Sequence, residues 1–409
     1  MIFCIIYKEF CLWGEGIMKN ETVAILDIRS GEVSFFLGAK GVNNTFVFSA
    51  GQTESYEGYC VEGFFDEGSF RNAVANAVTT VKQNYKGTIG KVYVGVPSPF
   101  IRVATKGHTL AFPSKRKISA QDVDALFETG LTELALNGHC IRRSAMYLTL
   151  GDNRKFFKAE SLYGVATDVL KGALCYYFVE DRFYRSIEAV LKELKFDEIC
   201  YVPSTLAQSV YLLPDKKREG YAFLLDIGFL TSSISVVYGD GIVHEESFNC
   251  GVATVLISLM QTFDVDYGMA QEILATSNIS GGNVPKGVYW SSETEEKQLE
   301  VQEINDCIKF SLDELCERVD KFFAVRYLGK VDTIFTVNPI SITGEGISRM
   351  KGAAEHISKR LNHLTEIVAP DLPYYDKPTF SSRIALLNDA TNDVKNRSWK
   401  TRLFGGRKK

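Results

Sequence analysis

Two aspartates stand at the ends of apolar stretches, and each one opens a short turn that contains glycine. The first turn is Asp27-Ile28-Arg29-Ser30-Gly31, and the second is Asp226-Ile227-Gly228-Phe229-Leu230-Thr231. A carboxylate at such a position can hold a hydrated Mg²⁺ ion, and glycine allows backbone N–H groups to approach a phosphate closely. These residue types predict phosphate binding, with Asp27 and Asp226 as the metal-holding carboxylates.

Further polar residues and glycines belong to the same expected site. Ser30 and Thr231 can donate hydroxyl groups from the two turns, which also contain Gly31 and Gly228. Gly251 comes directly before a segment with helical spacing, after an order of strand, turn, strand, turn and strand. We expect all five residues to contact a bound nucleotide.

Alternating apolar residues predict short antiparallel strands around each turn. The predicted strands are Val23–Ile28, Val33–Ala39 and Thr45–Ala50 in the first unit, and Tyr221–Ile227, Thr231–Tyr238 and Ile242–Phe248 in the second. Two units of one plan, with their aspartates 199 positions apart, predict a duplication in which two similar halves face a common cleft. Either turn alone would also suit an ordinary strand end in an α/β protein.

The composition is that of an ordinary globular protein. At 409 residues the chain is long enough for two to four subdomains, and 45% of its residues are apolar. Nine cysteines form no Cys-x-x-Cys pair and do not cluster with the five histidines, so they predict no metal site. The sequence contains no apolar run of about 18 residues, so it predicts no transmembrane helix. Residues 1–17 differ in character from the rest, and we expect translation to start at Met18.

Prolines and changes of pattern divide the chain. Pro97-Ser98-Pro99 ends a strand, and residues 99–180 then follow their own order of strand, helix, strand and strand, typical of an inserted subdomain. The expected division is 18–98 and 181–219 for the first lobe, 220–260 and 330–390 for the second lobe, 261–329 for its small subdomain, and 391–409 for a linker and a basic amphipathic segment.

Four stretches together resemble FtsA, the actin-like protein of bacterial cell division. They are VAILDIRSGEVSFFLG, KVYVGVPSPFI, FLLDIGFLTSSISVVYGDGIVHEESFNCGVATV, and PISITGEGISRMKGA followed by PYYDKPTFSSRIALLNDA. The fourth stretch contains Gly344 and Gly346. The turns alone would suit MreB, heat-shock chaperone ATPases or sugar kinases equally, whereas the early inserted subdomain is typical of FtsA or its pilus relative PilM. The resemblance implies an α/β fold of two lobes, the actin-like ATPase fold of the ribonuclease-H-like type.

The resemblance to FtsA also implies a function. Proteins of that family bind ATP with Mg²⁺ between the two halves and form filaments with copies of themselves. They anchor FtsZ at the cytoplasmic face of the membrane, at the division site. In this chain Gly344 and Gly346 would belong to the loop around the adenosine. The inserted subdomain would contact other division proteins, and no nucleic-acid partner is expected.

Several residues depart from the family's nucleotide-binding pattern. Phe229 and Leu230 replace two glycines, and a Cβ at a position that needs left-handed geometry costs about 1 kcal/mol or more. Arg29 and Glu345 also replace glycines, and Gln271 and Leu274 stand where the family has Glu and Lys. Arg29 either pairs with a phosphate or lies at a solvated rim. The departures predict weak or lost ATP binding and at most weak ATPase activity; the alternative function is a PilM-like scaffold for pilus or other envelope machinery.

The C-terminal end combines basic residues with large apolar ones. From Lys395 onward seven residues are basic and none is acidic; since the whole chain carries −4, the remainder carries −11. This pattern predicts a short helix that binds an anionic membrane surface weakly. A disordered tail or a nucleic-acid contact are the alternatives, and the acidic body argues against nucleic acid. The candidate membrane residues are Trp399, Lys400, Arg402, Leu403 and Phe404.

Overall fold

The computed structural model describes residues 22–134, 136–280, 284–292, 297–327 and 338–404, without the side chains at 44, 326–327 and 395–404. The expected N-terminal extension, 1–17, lies outside these residues. The strands are β1 (Val23–Ile28), β2 (Glu32–Lys40), β3 (Phe46–Ser55), β4 (Tyr59–Cys60), β5 (Gly63–Phe64), β6 (Lys91–Val96), β7 (Ile101–Lys117), β8 (His139–Thr149), β9 (Lys155–Phe156), β10 (Ala166–Val179), β11 (Glu198–Pro203), β12 (Tyr221–Ile227), β13 (Ser232–Tyr238), β14 (Gly241–Phe248), β15 (Tyr289–Ser291), β16 (Gln298–Glu300), β17 (Ile340–Thr343) and β18 (Thr365–Ile367). The helices are α1 (Glu67–Asn84), α2 (Ala120–Leu134), α3 (Asp181–Glu193), α4 (Ser204–Leu212), α5 (Asp215–Arg218), α6 (Val252–Phe263), α7 (Tyr267–Thr276), α8 (Val301–Tyr327), α9 (Glu345–Arg349), α10 (Ala353–Arg360) and α11 (Ser381–Phe404).

The first lobe is built on a five-stranded sheet in the order β11-β6-β1-β2-β3. β1 pairs antiparallel with β2 and parallel with β6. β3 then pairs antiparallel with β2, and β11 parallel with β6. Helices α1 and α3 pack on one face of this sheet, and α4 and α11 pack on the other. Every residue of β1 is therefore buried, which explains its continuous apolar sequence.

The second lobe repeats this plan in a sheet of the order β14-β13-β12-β17-β18. Its central strand β12 pairs antiparallel with β13 and parallel with β17, as β1 does with its own neighbours. β14 and β18 complete the same antiparallel and parallel sides. The predicted duplication is confirmed, and it places Asp27 and Asp226 near the same end of equivalent strands.

The inserted subdomain lies between β6 and α3 in the chain. It is a four-stranded antiparallel sheet in the order β7-β10-β8-β9, with α2 against one face. Leu126 of α2 is buried among Leu148, Leu170 and Leu174 of the sheet. The expected order of strand, helix, strand and strand is confirmed, and the short β9 adds an edge.

Helix α11 lies elsewhere than the expected division placed it. Its residues Ala385, Leu386 and Ala390 are buried against Val23 and Ile25 of the first lobe. Assigning 381–390 to the second lobe is wrong, because this helix covers the open face of the first sheet.

The linker expected at the start of 391–409 is also wrong, since α11 continues to Phe404. The polar residues of this stretch extend a helix whose first turns are anchored by burial. The side chains of the candidate membrane residues, 399–404, lie outside the described part of the structure.

The small subdomain of the second lobe consists of α7, the β15–β16 hairpin and the long helix α8. Ile304, Ile308, Leu312 and Val319 form a buried stripe on α8, which packs on α6 and α10. Among the helices that the structure describes, none has the length and apolar content to cross a bilayer.

Candidate functional site

The two aspartate turns face each other across the cleft between the lobes. Ser30 Oγ in the first turn accepts a hydrogen bond of 2.9 Å from the Leu230 N–H in the second turn. Asp27 is near enough to Asp226 for its negative charge to raise the pKa of Asp226, after the larger effect of burial. The structure therefore brings both turns to opposite walls of one cleft, as the duplicated pattern predicted.

Arg29 brings positive charge into the cleft from the first turn. Its guanidinium donates to Glu345 Oε2 of the second lobe at 3.0 Å and also contacts Glu32. Arg383 of α11 donates to the same Glu32 at 2.8 Å. The Nε atoms of Arg29 and Arg383 lie 3.8 and 3.6 Å from Oδ2 of the buried Asp27. We call these five residues the arginine cluster; its three carboxylates and two guanidinium groups carry a net charge of −1.

Burial and charge act in opposite directions on the two arginines. Burial lowers the pKa of Arg29, but the three carboxylates of the cluster outweigh this effect and leave that pKa raised. For Arg383, burial and the repulsion from Arg29 prevail, and its pKa is lowered. Arginine stays protonated in proteins, so both remain cations. The charge of Asp27 is thus balanced by groups of the protein itself.

Apolar side chains fill the cleft from the second turn. The Phe229 ring lies over Gly31, where a Cβ would come 3.1 Å from Phe229 Cδ1. Leu230 lies against Gly58, where a Cβ would come 2.4 Å from Leu230 Cδ1 and φ is +96°. The two side chains that replace glycines in the second turn are therefore accommodated by glycines of the first lobe.

Helix α6 begins at the second turn, and the turn itself uses its first N–H groups. The Val252 N–H donates to the Gly228 carbonyl at 3.1 Å, and the Ala253 N–H donates to the Phe229 carbonyl at 2.8 Å. Gly251 permits this approach, because a Cβ there would lie 2.4 Å from the Phe229 carbonyl oxygen. A helix N-terminus can hold a phosphate, but these two donors already have protein acceptors.

Asp226 lies where α4 and the loop after β17 meet the second turn. Gln208 Nε2 of α4 donates to Asp226 Oδ2 at 2.9 Å. Burial raises the pKa of Asp226, while the Gln208 hydrogen bond lowers it, and the net shift is upward. Gly344 has a φ of +97°, and a Cβ there would lie 2.2 Å from Asp226 Oδ1. Gly346 packs on Ile227, whose Cγ2 would lie 2.4 Å from an added Cβ.

A cavity of about 70 Å³ remains between the two turns. Its polar lining includes Ser98, Ser204, Thr205, Thr231 and Ser247. Pockets that hold drug-sized ligands measure about 300–1,000 Å³, whereas a water molecule occupies about 30 Å³ of liquid volume. In this conformation the free space between the two turns is smaller than a pocket that holds a drug-sized ligand. Within the described residues, no group of three or more His, Cys, Asp and Glu side chains is arranged to hold a metal ion.

All nine residues predicted to bind nucleotide lie around this cleft: Asp27, Ser30, Gly31, Asp226, Gly228, Thr231, Gly251, Gly344 and Gly346. Their contact with a nucleotide stays a prediction, as does the metal role of Asp27 and Asp226. For Arg29 the sequence left two alternatives, a phosphate contact or a solvated rim position. The structure shows a third arrangement, in which its guanidinium binds carboxylates of the protein.

Three polar cleft residues were missed by the sequence reasoning. Gln208 Oε1, Ser204 Oγ and Glu245 Oε1 are buried and have no hydrogen-bond partner within the described structure. Burial raises the pKa of Glu245, and the nearby hydroxyl groups of Thr205 and Ser98 lower that pKa by a smaller amount. A glutamine within a short apolar helix was the signal that could have identified Gln208; Glu245 lies on an alternating strand and gave no such signal.

A larger, open cavity of about 630 Å³ lies between the inserted subdomain and the first lobe. We call it the insertion groove and define it by His139, Arg142, Tyr184, Cys200 and Tyr201. The His139 ring stacks on Tyr184 with centroids 4.0 Å apart, and Tyr184 lies 5.0 Å from Tyr201. Tyr201 belongs to β11, the edge strand of the first sheet. The groove therefore combines aromatic rings with a sheet edge.

No protein-family model matches the sequence, and no curated protein matches it. Solved structures do match. The PilM–PilN type IV pilus biogenesis complex has a TM-score of 0.57 and 11% identity, covering 90% of this chain and 98% of that chain. MreB5 of Spiroplasma citri bound to AMPPNP has a TM-score of 0.52 and 9% identity, covering 92% and 98%. The same protein bound to ADP has a TM-score of 0.50 and 8% identity, with the same coverage.

These similarities define the class of protein. The chain has the actin-like ATPase fold of two α/β lobes, as the resemblance implied. Two of the similar structures contain ADP or AMPPNP, so the fold is one that can hold a nucleotide. At identities of 8–11% the similarity shows the fold alone, and membership of the FtsA family stays a prediction.

Proposed function

We propose that this protein is a nucleotide-poor scaffold with the actin-like fold, which holds a partner protein of the cell-envelope machinery. The observation that carries the proposal is the filled cleft. Arg29, Phe229 and Leu230 occupy the space between the turns and leave a cavity of about 70 Å³. Nucleotide turnover needs a cleft that admits ATP and closes around it. The arrangement favours a role in binding other proteins.

The insertion groove supports the partner-binding part of this proposal. Aromatic rings beside a sheet edge suit an extended peptide, which can form main-chain hydrogen bonds with the edge and place its side chains in the groove. In the similar structure, PilM forms a complex with PilN. We assign to the groove a peptide segment of an envelope protein, which gives the inserted subdomain the partner contact that the sequence predicted for it.

Calorimetric titration with Mg-ATP tests the scaffold proposal. The purified protein should bind no more tightly than a Kd of about 1 mM, equivalent to about −4 kcal/mol. Saturable heat with a Kd near 1 μM, about −8 kcal/mol, would contradict the proposal. ADP should behave as ATP does, because the filled region lies at the phosphate turns.

A photo-crosslinking amino acid tests the groove in living cells. Placed at Cys200 in the groove, it should capture an envelope protein. Placed at Phe310, whose side chain is exposed on α8, it serves as the matched control and should not capture that protein. Equal capture at both positions, or no envelope protein at position 200, argues against the groove as the partner site.

A second candidate function is an FtsA-type tether that anchors FtsZ to the membrane, forms filaments and recruits division proteins. The C-terminal sequence favours it, because seven basic residues accompany Trp399, Leu403 and Phe404. Removing residues 399–409 should abolish binding to anionic liposomes and leave binding to neutral liposomes unchanged. If the shortened chain binds anionic liposomes as the whole chain does, this candidate is wrong.

A further inference from the structure

Side chains join the two lobes deep in the cleft. Arg29 of the first turn donates to Glu345 of the second lobe at 3.0 Å, and the two side chains are 18% and 11% exposed. The Leu230 N–H donates to Ser30 Oγ at 2.9 Å beside them. A charged pair shielded from water is costly to break when one partner stays buried. Opening the cleft would separate this pair, so the contact favours the closed arrangement of the lobes.

A second set of contacts joins the lobes at another point of the cleft. Asn249, which follows β14 in the second lobe, accepts a hydrogen bond of 2.7 Å from the Val61 N–H of the first lobe. Its Nδ2 donates to Glu62 Oε2 at 2.9 Å. One asparagine thus binds two consecutive residues of the β4–β5 hairpin. These contacts are more exposed than the Arg29–Glu345 pair, and they add a second link between the same two lobes.

The inserted subdomain forms a third link, from the first lobe to the β13–β14 hairpin of the second. The Ile242 N–H of that hairpin donates to Tyr177 Oη at 2.9 Å. Gly239 at the hairpin turn lies so close to the insertion that a Cβ would come 1.8 Å from the Met146 carbonyl oxygen. Lys158 of the insertion pairs with Asp240 at 3.1 Å. The insertion therefore acts as a brace between the lobes.

We propose that these three links form an internal latch, which holds the lobes closed by side-chain contacts and makes closure independent of nucleotide. The proposal rests on the scaffold function and extends it. A nucleotide can drive closure only if it binds the closed state better than the open one. In this protein the opposite charges that meet across the cleft are those of Arg29 and Glu345, so no nucleotide is needed to supply one of them. The latch keeps the lobes in one arrangement, so the insertion groove beside it keeps one shape.

Hydrogen–deuterium exchange measures the latch directly, because three of its donors are backbone amides, those of Leu230, Val61 and Ile242. In the wild-type protein the Leu230 and Val61 amides should be protected, and 5 mM Mg-ATP should change their exchange rates less than twofold. Glu345→Gln removes the charge that Arg29 meets across the cleft. It should speed exchange at Leu230 at least tenfold, since exchange of a hydrogen-bonded amide requires local opening.

The matched control is Glu32→Gln, which removes a carboxylate of the same cluster. Glu32 meets Arg29 and Arg383, which lie on the first-lobe side of the cleft. The Glu32→Gln substitution should change the exchange rate of the Leu230 amide less than threefold. Ser30→Ala, which deletes the hydroxyl acceptor of the Leu230 amide, provides a second route if Glu345→Gln folds poorly, and it too should speed exchange at Leu230 at least tenfold. Thermal melting and circular dichroism identify any variant that has lost its fold.

The outcomes separate the latch from the scaffold proposal. Fast exchange at Leu230 and Val61 that becomes slow on adding Mg-ATP overturns the latch, and so does equal exchange in the Glu345→Gln and Glu32→Gln variants. Protected amides together with calorimetric binding of Mg-ATP at micromolar concentration support the latch and contradict the scaffold. Fast exchange without any heat of binding contradicts the latch and leaves the scaffold standing.

Discussion

The first and second aspartate turns share a backbone plan and differ in what they place in the cleft. Each follows a central strand that pairs antiparallel on one side and parallel on the other. The first turn contributes the guanidinium of Arg29, which pairs with Asp27 and Glu32 beside it in the chain and with Glu345 of the second lobe. The second contributes Phe229 and Leu230, which pack on glycines of the first lobe.

This difference shows that one cleft can be closed by two kinds of force. The polar side depends on charges that must stay paired, because an unpaired buried charge is costly. The apolar side depends on the contact area of Phe229 and Leu230 and on the glycines that leave room for these two side chains. Substitutions on the two sides should therefore have effects of different size, and each needs its own control. The following predictions use that contrast and are ordered by decreasing effect.

The largest effect is expected for Arg29→Ala, which leaves three carboxylates with one arginine. Removing one partner from a buried charged cluster costs about 3–5 kcal/mol of unfolding free energy. Urea unfolding should show a lower midpoint with an unchanged slope. The control Arg182→Ala breaks an exposed pair with Glu67 and should cost about 0–1 kcal/mol. If both variants lose the same amount, the arginine cluster does not stabilise the cleft.

Phe229→Ala tests the apolar side and should have a smaller effect. A fully buried Phe→Ala change costs about 3–5 kcal/mol, and this ring is only partly buried, so we expect about 1–3 kcal/mol. The control Phe310→Ala concerns a side chain that is 78% exposed and should stay within about 0.5 kcal/mol of the wild type. If Phe229→Ala lowers the free energy of unfolding no more than Phe310→Ala does, the second turn does not stabilise the protein by packing.

The double substitution Phe229→Gly with Leu230→Gly should restore space at the second turn. We expect at least a tenfold gain in affinity for Mg-ATP, about 1.4 kcal/mol, because the side chains that fill the phosphate region are gone. Calorimetry compares it with the wild type, and Phe310→Gly provides a control for an unrelated loss of a ring. An unchanged affinity would show that other residues exclude the nucleotide.

Glu245→Gln should have the smallest effect, an increase in the melting temperature of about 1–3 °C at pH 7. Burial raises the pKa of Glu245 in the folded protein. The folded state then holds this proton more tightly than the unfolded state, so the stability present below the ordinary pKa is lost as the pH rises through the folded pKa. The variant avoids that loss.

The gain from Glu245→Gln should therefore disappear on acidification below the ordinary pKa of a glutamate. The control Glu219→Gln changes an exposed residue that precedes β12, and it should leave the melting temperature unchanged at every pH. A gain for Glu245→Gln that is equal at acid and neutral pH would rule out a protonation effect.

Much of the fold could be predicted because buried strands have distinctive sequences. β1 and β12 were predicted with the bounds that the structure shows, since both are nearly continuous apolar runs that end at a carboxylate. The aspartates of the cleft were found by the same signal. The pairing of Arg29 with Glu345 was not, because the two residues are 316 positions apart in the chain and sequence spacing carries no information about such a pair.

The position of α11 is a further case. The start of residues 391–409 was expected to be a linker ahead of a short basic helix, because that stretch is polar. The structure shows one helix, since Ala385, Leu386 and Ala390 bury its first half on the first sheet and the helix propagates from that anchor. A local pattern could not show which lobe would cover those residues.

The sequence by itself determined the duplicated strands, the inserted subdomain and the carboxylate at the end of each central strand, because each depends on residues that are neighbours along the chain. The tertiary structure alone decided what fills the cleft. It paired Arg29 with Glu345, set Phe229 over Gly31, and placed the insertion against the second lobe. These contacts arise from burial, since a charge or ring acquires its partners only when folding removes it from water.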